Sequence, residues 1–331
     1  MRNNRIDHIL KSLCLSVLLA CSLTCAAQSD PALTQYFNVS TFYNPAAAGE
    51  TDLLRIRGGS RLQWMGIENA PRTFLATADM PFKLFGKRFG TGLVVEQESM
   101  GLYHSLLLDA QIGYQRKLFG GVISAGLQIG IVNETFRGSD VVIPDNDDYH
   151  DSTDEAIPTS DLAGTSIDLG LGVWYTHKWF YAGLSCTHVN SPVIKMSMEG
   201  SETTQDRSYE FKFGRTAYFT AGSNIPIKNT LFELIPSVLV KSDFTFTQAD
   251  FTARIRYKKF LTAGLGYRTQ DAVSLILGAE LRGIYIGYSY DYPTSAIIKA
   301  SSGSHEVWVG YSMKLDLSEK NKHRHKSIRI M

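Results

Sequence analysis

Few residues in this chain have the types and spacing that chemistry at a site requires. His305 and Glu306 are adjacent and could form an acid–base pair, but no nucleophile or third partner accompanies them in a recognisable context. Asp145, Asp147 and Asp148 offer carboxylates to calcium, yet their spacing differs from that of an EF-hand loop, and a solvated acidic loop is the favoured interpretation. The sequence also lacks a Gly-rich phosphate loop, a zinc-ligand spacing and a nucleophile elbow. We expect neither enzyme activity nor a cofactor.

The most informative charges lie in the segment 52–64, DLLRIRGGSRLQW. Because successive side chains of a strand point to opposite faces, Arg55, Arg57, Arg61 and Gln63 share one face, and the other face is mostly apolar. A soluble sheet would bury the apolar face in a core. A transmembrane barrel would turn it to lipid and the arginines to a wet lumen. In a barrel, these four residues are the candidates for facing the lumen.

Alternating segments of this kind recur along the whole chain after residue 52. Two of them, 102–118 and 121–136, exceed the ~5–6 residues usual in soluble strands and suit membrane strands of ~9–11 residues with extensions. Aromatic residues near strand ends, among them Tyr114, Trp179 and Trp308, fit the girdles of such barrels. The fourteen predicted strands are 52–64, 72–80, 89–99, 102–118, 121–136, 166–175, 180–190, 210–223, 231–242, 248–257, 260–268, 272–280, 282–290 and 304–315. An even number is typical of single-chain bacterial barrels, so we predict an all-β transmembrane barrel over residues 52–316.

The start of the chain is typical of an exported protein. Residues 1–27 combine a basic beginning, a short apolar core at 13–20 and small residues at 25–27, which predicts a cleaved signal peptide. Lipidation of Cys21 is the alternative. Only Cys186 lies beyond this leader, so the mature chain has no intramolecular disulfide. The net charge of +1 gives no reason to expect nucleic acid as a partner.

Three segments lack strand periodicity. The arm 28–51 is irregular and aromatic, the tail 317–331 is basic, and the long loop 137–164 is acidic. With an even strand number, both ends of the chain should lie in the periplasm and the acidic loop outside the cell. The candidates for partner binding in the arm and the tail are Tyr36, Phe37, Phe42, Tyr43, Lys322, Arg324 and Lys326.

Several stretches, taken together and in order, resemble PorP/SprF proteins of the type IX secretion system. They are DPALTQYFNVSTFYNPAAAG (30–49), RLQWMGIENAPRTFLATADMP (61–81), PSVLVK (236–241), YKKFLTAGLGYRTQDAV (257–273), IGYSYDYPTS (286–295) and SGSHEVWVGY (302–311). The resemblance implies a barrel in the outer membrane that takes part in type IX secretion, with gliding motility linked to some relatives. It also implies periplasmic ring proteins, a peptidoglycan-binding protein and secreted adhesin-type cargo as partners.

We therefore expect a non-enzymatic outer-membrane component of type IX secretion, either a core part or one dedicated to particular cargo. One alternative is a porin or small-solute channel, in which the lumenal arginines would favour anions. Another alternative is a soluble, secreted β-sandwich protein.

Overall fold

A computed structural model describes residues 30–141, 158, 160–198 and 209–316. Fourteen antiparallel strands form a closed barrel in which β1 pairs with both β2 and β14. The strands, β1 to β14 in chain order, are Leu53–Leu62, Arg72–Leu84, Lys87–Met100, Tyr103–Leu118, Gly121–Phe136, Leu162–Thr176, Phe180–Thr187, Thr216–Ser223, Phe232–Ser242, Thr247–Tyr257, Leu261–Arg268, Ala272–Leu281, Ile284–Pro293 and Ser304–Lys314. The predicted number of fourteen strands is confirmed, and closure leaves no strand edge of the barrel unpaired.

The two faces of the barrel wall differ sharply in polarity. On β5, Leu127 is 64% exposed on the outer face, whereas its neighbour Gln128 is 4% exposed on the lumenal face. Asp109 on β4 and Asp168 on β6 are likewise buried toward the lumen. An apolar exterior around a polar interior is the arrangement of a barrel that sits in lipid, and it excludes the soluble sandwich.

The aromatic residues predicted for the girdles divide between the two faces. Tyr114 and Trp179 are exposed, but Trp308 is almost fully buried on the lumenal face. There its indole Nε1–H donates to Glu306 Oε1 over 2.6 Å. Trp308 therefore belongs to the interior of the barrel, because a polar partner for its N–H lies there.

The connections at the two ends of the barrel differ in length. At what we call the short-turn end, five of the six turns have two or three residues: 85–86, 119–120, 177–179, 258–260 and 282–283. The sixth, 224–231, includes Ile225–Pro226, which pairs with β9. At the opposite, long-loop end, the connections 137–161 and 188–215 are the longest. The predicted acidic loop thus joins β5 to β6, as expected.

A small hairpin that is not part of the barrel wall packs against the lumenal face of the wall at the long-loop end. It pairs Val193–Met198 with Tyr209–Lys212. The predicted strand 210–223 therefore splits into the second strand of this hairpin and β8. The reason is packing, since Ile194 and Met196 form an apolar cluster with Leu107 and Val132 of the barrel wall.

The described helices are all short. The 3-10 turns are Tyr36–Asn38, Pro45–Ala47, Gly138–Asp140 and Ala296–Lys299, and the single α-helical turn is Ser40–Tyr43. Among the described residues, no helix has the length and apolar character needed to cross a membrane. The predicted leader 1–27, Asp145, Asp147 and Asp148 of the acidic loop, and the tail 317–331 lie outside the described residues.

Candidate functional site

Residues 30–50, which we call the plug, run through the lumen from one end to the other. Asp30 lies next to the long-loop end of β7, and Glu50 lies near the short-turn end beside Arg55. Short helical turns shorten the path of the chain, and Asn44 caps the last of them by accepting from the Ala46 N–H over 2.9 Å. The plug therefore fills the barrel as a compact, internally hydrogen-bonded element.

Apolar contacts hold the middle of the plug against opposite sides of the wall. Tyr36 and Tyr43 are buried, and the Tyr43 ring meets the Tyr218 ring of β8 edge-on, with centroids 5.2 Å apart. The whole cluster comprises Leu33, Tyr36, Val39, Phe42, Tyr43, Leu75, Val94, Tyr218, Leu239, Tyr285 and Trp308. Burying these large side chains gives the lumen a hydrophobic core, which an open channel would not have.

Six charged side chains form one ion network beside this core, which we call the central network; its least buried member is Asp271, whose Oδ2 lies 3.2 Å from Arg268 Nη1. Arg61 Nη2 lies 2.7 Å from Asp291 Oδ2, and Arg61 Nη1 lies 3.2 Å from Glu306 Oε2. Arg268 Nε lies 2.6 Å from Asp250 Oδ1, and Arg268 Nη1 lies 3.3 Å from Asp291 Oδ2. Both arginines are at most 2% exposed. Such buried charges are tolerated only because each has partners of opposite sign.

The plug completes the central network with its own backbone. The N–H groups of Thr34 and Gln35 donate to Glu306 Oε2 and Oε1 over 2.7 and 2.8 Å. The Thr34 hydroxyl donates to Asp291 Oδ1 over 2.7 Å. Hydrogen bonds to a buried carboxylate are stronger than those between neutral groups. The carboxylates that neutralise the wall arginines therefore also fasten the plug.

A second attachment lies at the long-loop end, at Asp30. His188 Nε2 is 3.2 Å from Asp30 Oδ1, and His188 Nδ1 is 2.8 Å from Asp168 Oδ1. The Tyr218 hydroxyl donates to the Asp30 carboxylate, and Lys241 Nζ donates to the Asp30 carbonyl over 2.8 Å. Burial acts to raise the pKa of Asp30, but His188, Tyr218 and Lys241 outweigh it and lower the pKa to about 2. Asp30 is thus held as a carboxylate.

A third attachment lies near the short-turn end. Asp79 Oδ2 accepts from Arg55 Nη2 and from the Gly49 N–H of the plug, both over 2.9 Å. Arg55 Nη1 also lies 2.8 Å from Glu50 Oε1. Gln115 Nε2 donates to the Gly49 carbonyl over 2.8 Å. The plug is therefore fastened at both ends and in the middle.

Glycines in the wall let the plug backbone lie directly against the strands. A Cβ added at Gly90 would lie 1.8 Å from the Ala48 carbonyl oxygen, and one at Gly126 would lie 2.3 Å from the Ala46 nitrogen. Neither contact involves a flexible side chain that could move aside. Wall and plug are thus fitted to each other where they touch.

The four residues predicted to face the lumen are placed as follows. Arg55 and Arg61 make the ion pairs described above. Arg57 Nη2 donates to Ser312 Oγ over 2.9 Å, and the guanidinium lies 5.6 Å from the centroid of the Tyr285 ring. Gln63 is half-buried just beyond the end of β1.

The four predicted partner-binding rings of the arm lie in the lumen. Tyr36, Phe42 and Tyr43 are buried, and the Phe37 ring centroid lies 3.3 Å from Arg254 Cζ. The predicted irregular arm therefore forms a plug inside the barrel, since these rings find an apolar interior to pack in. Lys322, Arg324 and Lys326 lie outside the described residues.

His305 and Glu306 point to opposite faces of β14. His305 Nδ1 is 2.8 Å from the exposed Tyr288 hydroxyl, whereas Glu306 joins the central network. They are not an acid–base pair. Within the described ranges, no group of three or more His, Cys, Asp or Glu side chains is placed to hold a metal ion.

Several residues of the plug attachments were not anticipated from the sequence: Asp79, Asp168, His188, Asp250, Arg268, Asp291 and Glu306. The feature of the sequence that could have predicted these carboxylates is Arg61. A buried arginine requires carboxylates, and alternation places Asp291 and Glu306 on the lumenal faces of their strands.

A closed barrel of this construction, apolar outside and polar inside, defines an integral protein of the outer membrane. The chain belongs to the PorP/SprF family of type IX secretion system membrane proteins, because the model of that family matches residues 25–311. Membrane lipid and other components of the secretion system are therefore its partners.

Solved structures similar to this chain are outer-membrane barrels with low sequence identity. The toluene transporter TodX from Pseudomonas putida has a TM-score of 0.47 and 11% identity, covering 84% of this chain and 94% of that chain. The translocator domain of the autotransporter NalP from Neisseria meningitidis has a TM-score of 0.44 and 13% identity, covering 85% and 94%. No curated protein matches the chain.

Replacing Arg61 by Met should destabilise the protein by about 3–5 kcal/mol, because Asp291 and Glu306 would each lose a buried cation. Arg57→Met is the matched control and should cost roughly 1 kcal/mol, because Arg57 has no carboxylate partner among the described residues. Urea titration of protein refolded in detergent micelles measures both. Equal losses of unfolding free energy in the two variants would show that the central network does not stabilise the protein.

Gly90→Ala should push the plug away from the wall near Ala48. A cysteine introduced by Ala47→Cys, in a Cys186→Ser background, measures this displacement, because residue 47 is fully buried and becomes accessible to a maleimide only when the plug moves. We expect maleimide labelling to become about tenfold faster, equivalent to about 1.4 kcal/mol of weakened packing. In the control Gly58→Ala, the added Cβ has no neighbour within 4 Å and labelling should stay slow. Equal labelling rates would contradict the close fit.

Proposed function

We propose that this protein is a non-enzymatic outer-membrane component of type IX secretion. In this proposal it supports export or surface attachment of cargo proteins, and in gliding cells motility, by linking to periplasmic ring and peptidoglycan-binding proteins. The observation that carries the proposal is the plug. Because residues 30–50 fill the lumen and are fastened at three levels, the barrel offers surfaces to partners rather than a path to solutes.

The plug also argues against the porin alternative. An anion channel needs arginines that are free to attract anions along an open path. Arg55 and Arg61 are instead neutralised by Asp79, Glu50, Asp291 and Glu306. The apolar rings of the plug are buried in the same lumen.

The orientation in the membrane is part of this proposal. Barrels of the outer membrane have short periplasmic turns and longer extracellular loops. The short-turn end then faces the periplasm, where β1 begins and β14 ends, and the acidic connection 137–161 faces the cell exterior. The basic tail, with Lys322, Arg324 and Lys326, continues from the periplasmic end and is proposed as a further contact for a periplasmic partner. The buried rings of Tyr36, Phe42 and Tyr43 could reach such a partner only if the plug left the lumen.

Deletion of the gene should remove type IX cargo from the culture medium and the cell surface, because the proposed partners would lose their outer-membrane site. Quantitative mass spectrometry of both fractions measures this, and complementation with the intact gene is the control. Loss of many secreted proteins indicates a core component, and loss of one or a few adhesins indicates a cargo-dedicated one. An unchanged set of secreted proteins with altered uptake of small solutes would contradict the proposal.

A further inference from the structure

The short-turn end of the barrel is strongly basic. We call its six turns, each taken with two strand residues on either side, the rim. Its cationic residues are Lys83, Lys87, Arg88, Lys117, Lys178, Lys228, Arg256, Lys258, Lys259 and Arg282, and its acidic residues are Glu233 and Glu280. Glu233 is paired with Arg256. The connection 137–161 at the opposite end holds eight acids and one arginine, so the near-neutral net charge conceals a polarised molecule.

Most rim lysines have no carboxylate partner within the part of the chain that the structure describes. The acids nearest to the rim are already engaged, since Asp52 pairs with Arg88 and Glu50 pairs with Arg55. The rim charge is therefore available to an anionic surface outside the barrel.

Two rim turns carry phenylalanines whose side chains do not pack within the fold. Phe85 and Phe119 are 91% and 86% exposed, with φ of 51° and 49°, and each precedes a glycine with positive φ. Two-residue hairpin turns with two positive φ angles favour Asn, Asp or Gly at the first position. A phenylalanine there strains the backbone, and at these exposures the two rings bury little apolar area. Folding alone does not explain these two residues.

The exposed rings of Phe85, Phe119 and Trp179, which we call the aromatic tips, lie on neighbouring turns of the rim. The turns holding Phe85, Phe119 and Trp179 connect consecutive strands from β2 to β7, and Val122 of β5 pairs with Thr176 of β6 between the last two. A cleft of about 620 Å³ lies between these two turns, lined by residues 117–122 and 176–178. One face of the rim thus combines protruding rings, a recess and lysines.

The position of the tips favours a protein over lipid headgroups. On the outer face near this end, the Phe82, Phe89 and Tyr114 rings are packed in a row, with centroids 5.6 and 5.4 Å apart. Such rings mark the headgroup level. Phe85 lies three residues beyond Phe82, which at about 3.3 Å per residue is roughly 10 Å further along the strand. The tips therefore project past the headgroups.

We propose that the rim docks an acidic surface of a periplasmic protein, with Phe85 and Phe119 inserted into apolar pockets of that partner. The proposal rests on the function proposed above, which supplies a periplasmic partner, and adds which surface binds it and by what chemistry. Exposed aromatic anchors surrounded by charges are the pattern of a binding hot spot. The lysines select an acidic partner and speed its association.

The test uses the full chain in nanodiscs of phosphatidylcholine, with the purified periplasmic ring complex and the purified peptidoglycan-binding protein of the same system as probes. The double variant Phe85→Asn/Phe119→Asn should weaken binding to one probe by at least about tenfold. It should not lower the thermal unfolding midpoint, because Asn suits these turns better. Binding of the intact chain should also weaken as salt rises.

Phe244→Asn is the matched control. Phe244 is also exposed and has a positive φ of 68°, but it lies at the long-loop end. Its replacement should leave binding unchanged. The inference is overturned if the intact chain binds neither probe, if the double variant binds as tightly as the intact chain, or if association needs phosphatidylglycerol in the nanodisc. In the last case, lipid headgroups are the ligand.

The secretion experiment separates this inference from the proposed function. If gene deletion removes cargo but the double variant binds both probes and secretes normally, only the rim inference fails. If gene deletion leaves the secreted proteins unchanged, the proposed function itself fails.

Discussion

The structure depends on the neutralisation of Arg61 inside the barrel. An arginine that is 2% exposed would be intolerable alone, and Asp291 and Glu306 make it tolerable. The same two carboxylates accept hydrogen bonds from Thr34 and Gln35, so the charge balance of the wall and the seating of the plug are one arrangement. Buried ion networks often add little net stability, but they fix geometry, and here they fix which segment fills the lumen.

A filled lumen changes the way in which a barrel can work. The interior of this protein resembles a domain core, with buried aromatic rings and glycines that admit the plug backbone. Its exterior faces lipid. Contacts with other proteins are therefore left to the two ends of the barrel. One end has long connections, of which 137–161 is acidic, and the other has short turns that are basic and carry aromatic residues. The membership of the PorP/SprF family agrees with such a role in secretion.

The strands were predictable because alternation is a local signal. In 121–136, the alternation of apolar and polar residues assigns each side chain to one face of the strand. The closed barrel followed from the number and length of such strands. The lumenal placement of the arginines followed from the same periodicity. The error at 210–223 arose because an aromatic, alternating segment suits a loop hairpin as well as a barrel strand, and only contact with Leu107 and Val132 distinguishes them.

The plug was not predictable by the same means. Residues 30–50 show no periodicity, and their aromatic rings suit a partner surface as well as a barrel interior. What decides between the two is long-range: Thr34 meets residues that lie 257 and 272 positions later in the chain. The glycines that receive the plug, Gly90 and Gly126, also look like ordinary strand glycines until the opposing backbone is in place.

Ion conductance of the purified protein in planar lipid bilayers measures whether the plug closes the lumen. The intact chain should be silent, because the plug fills the barrel, and a chain lacking residues 30–50 should conduct. Steady conductance by the intact chain, equal to that of the chain without the plug, would contradict closure of the lumen by the plug.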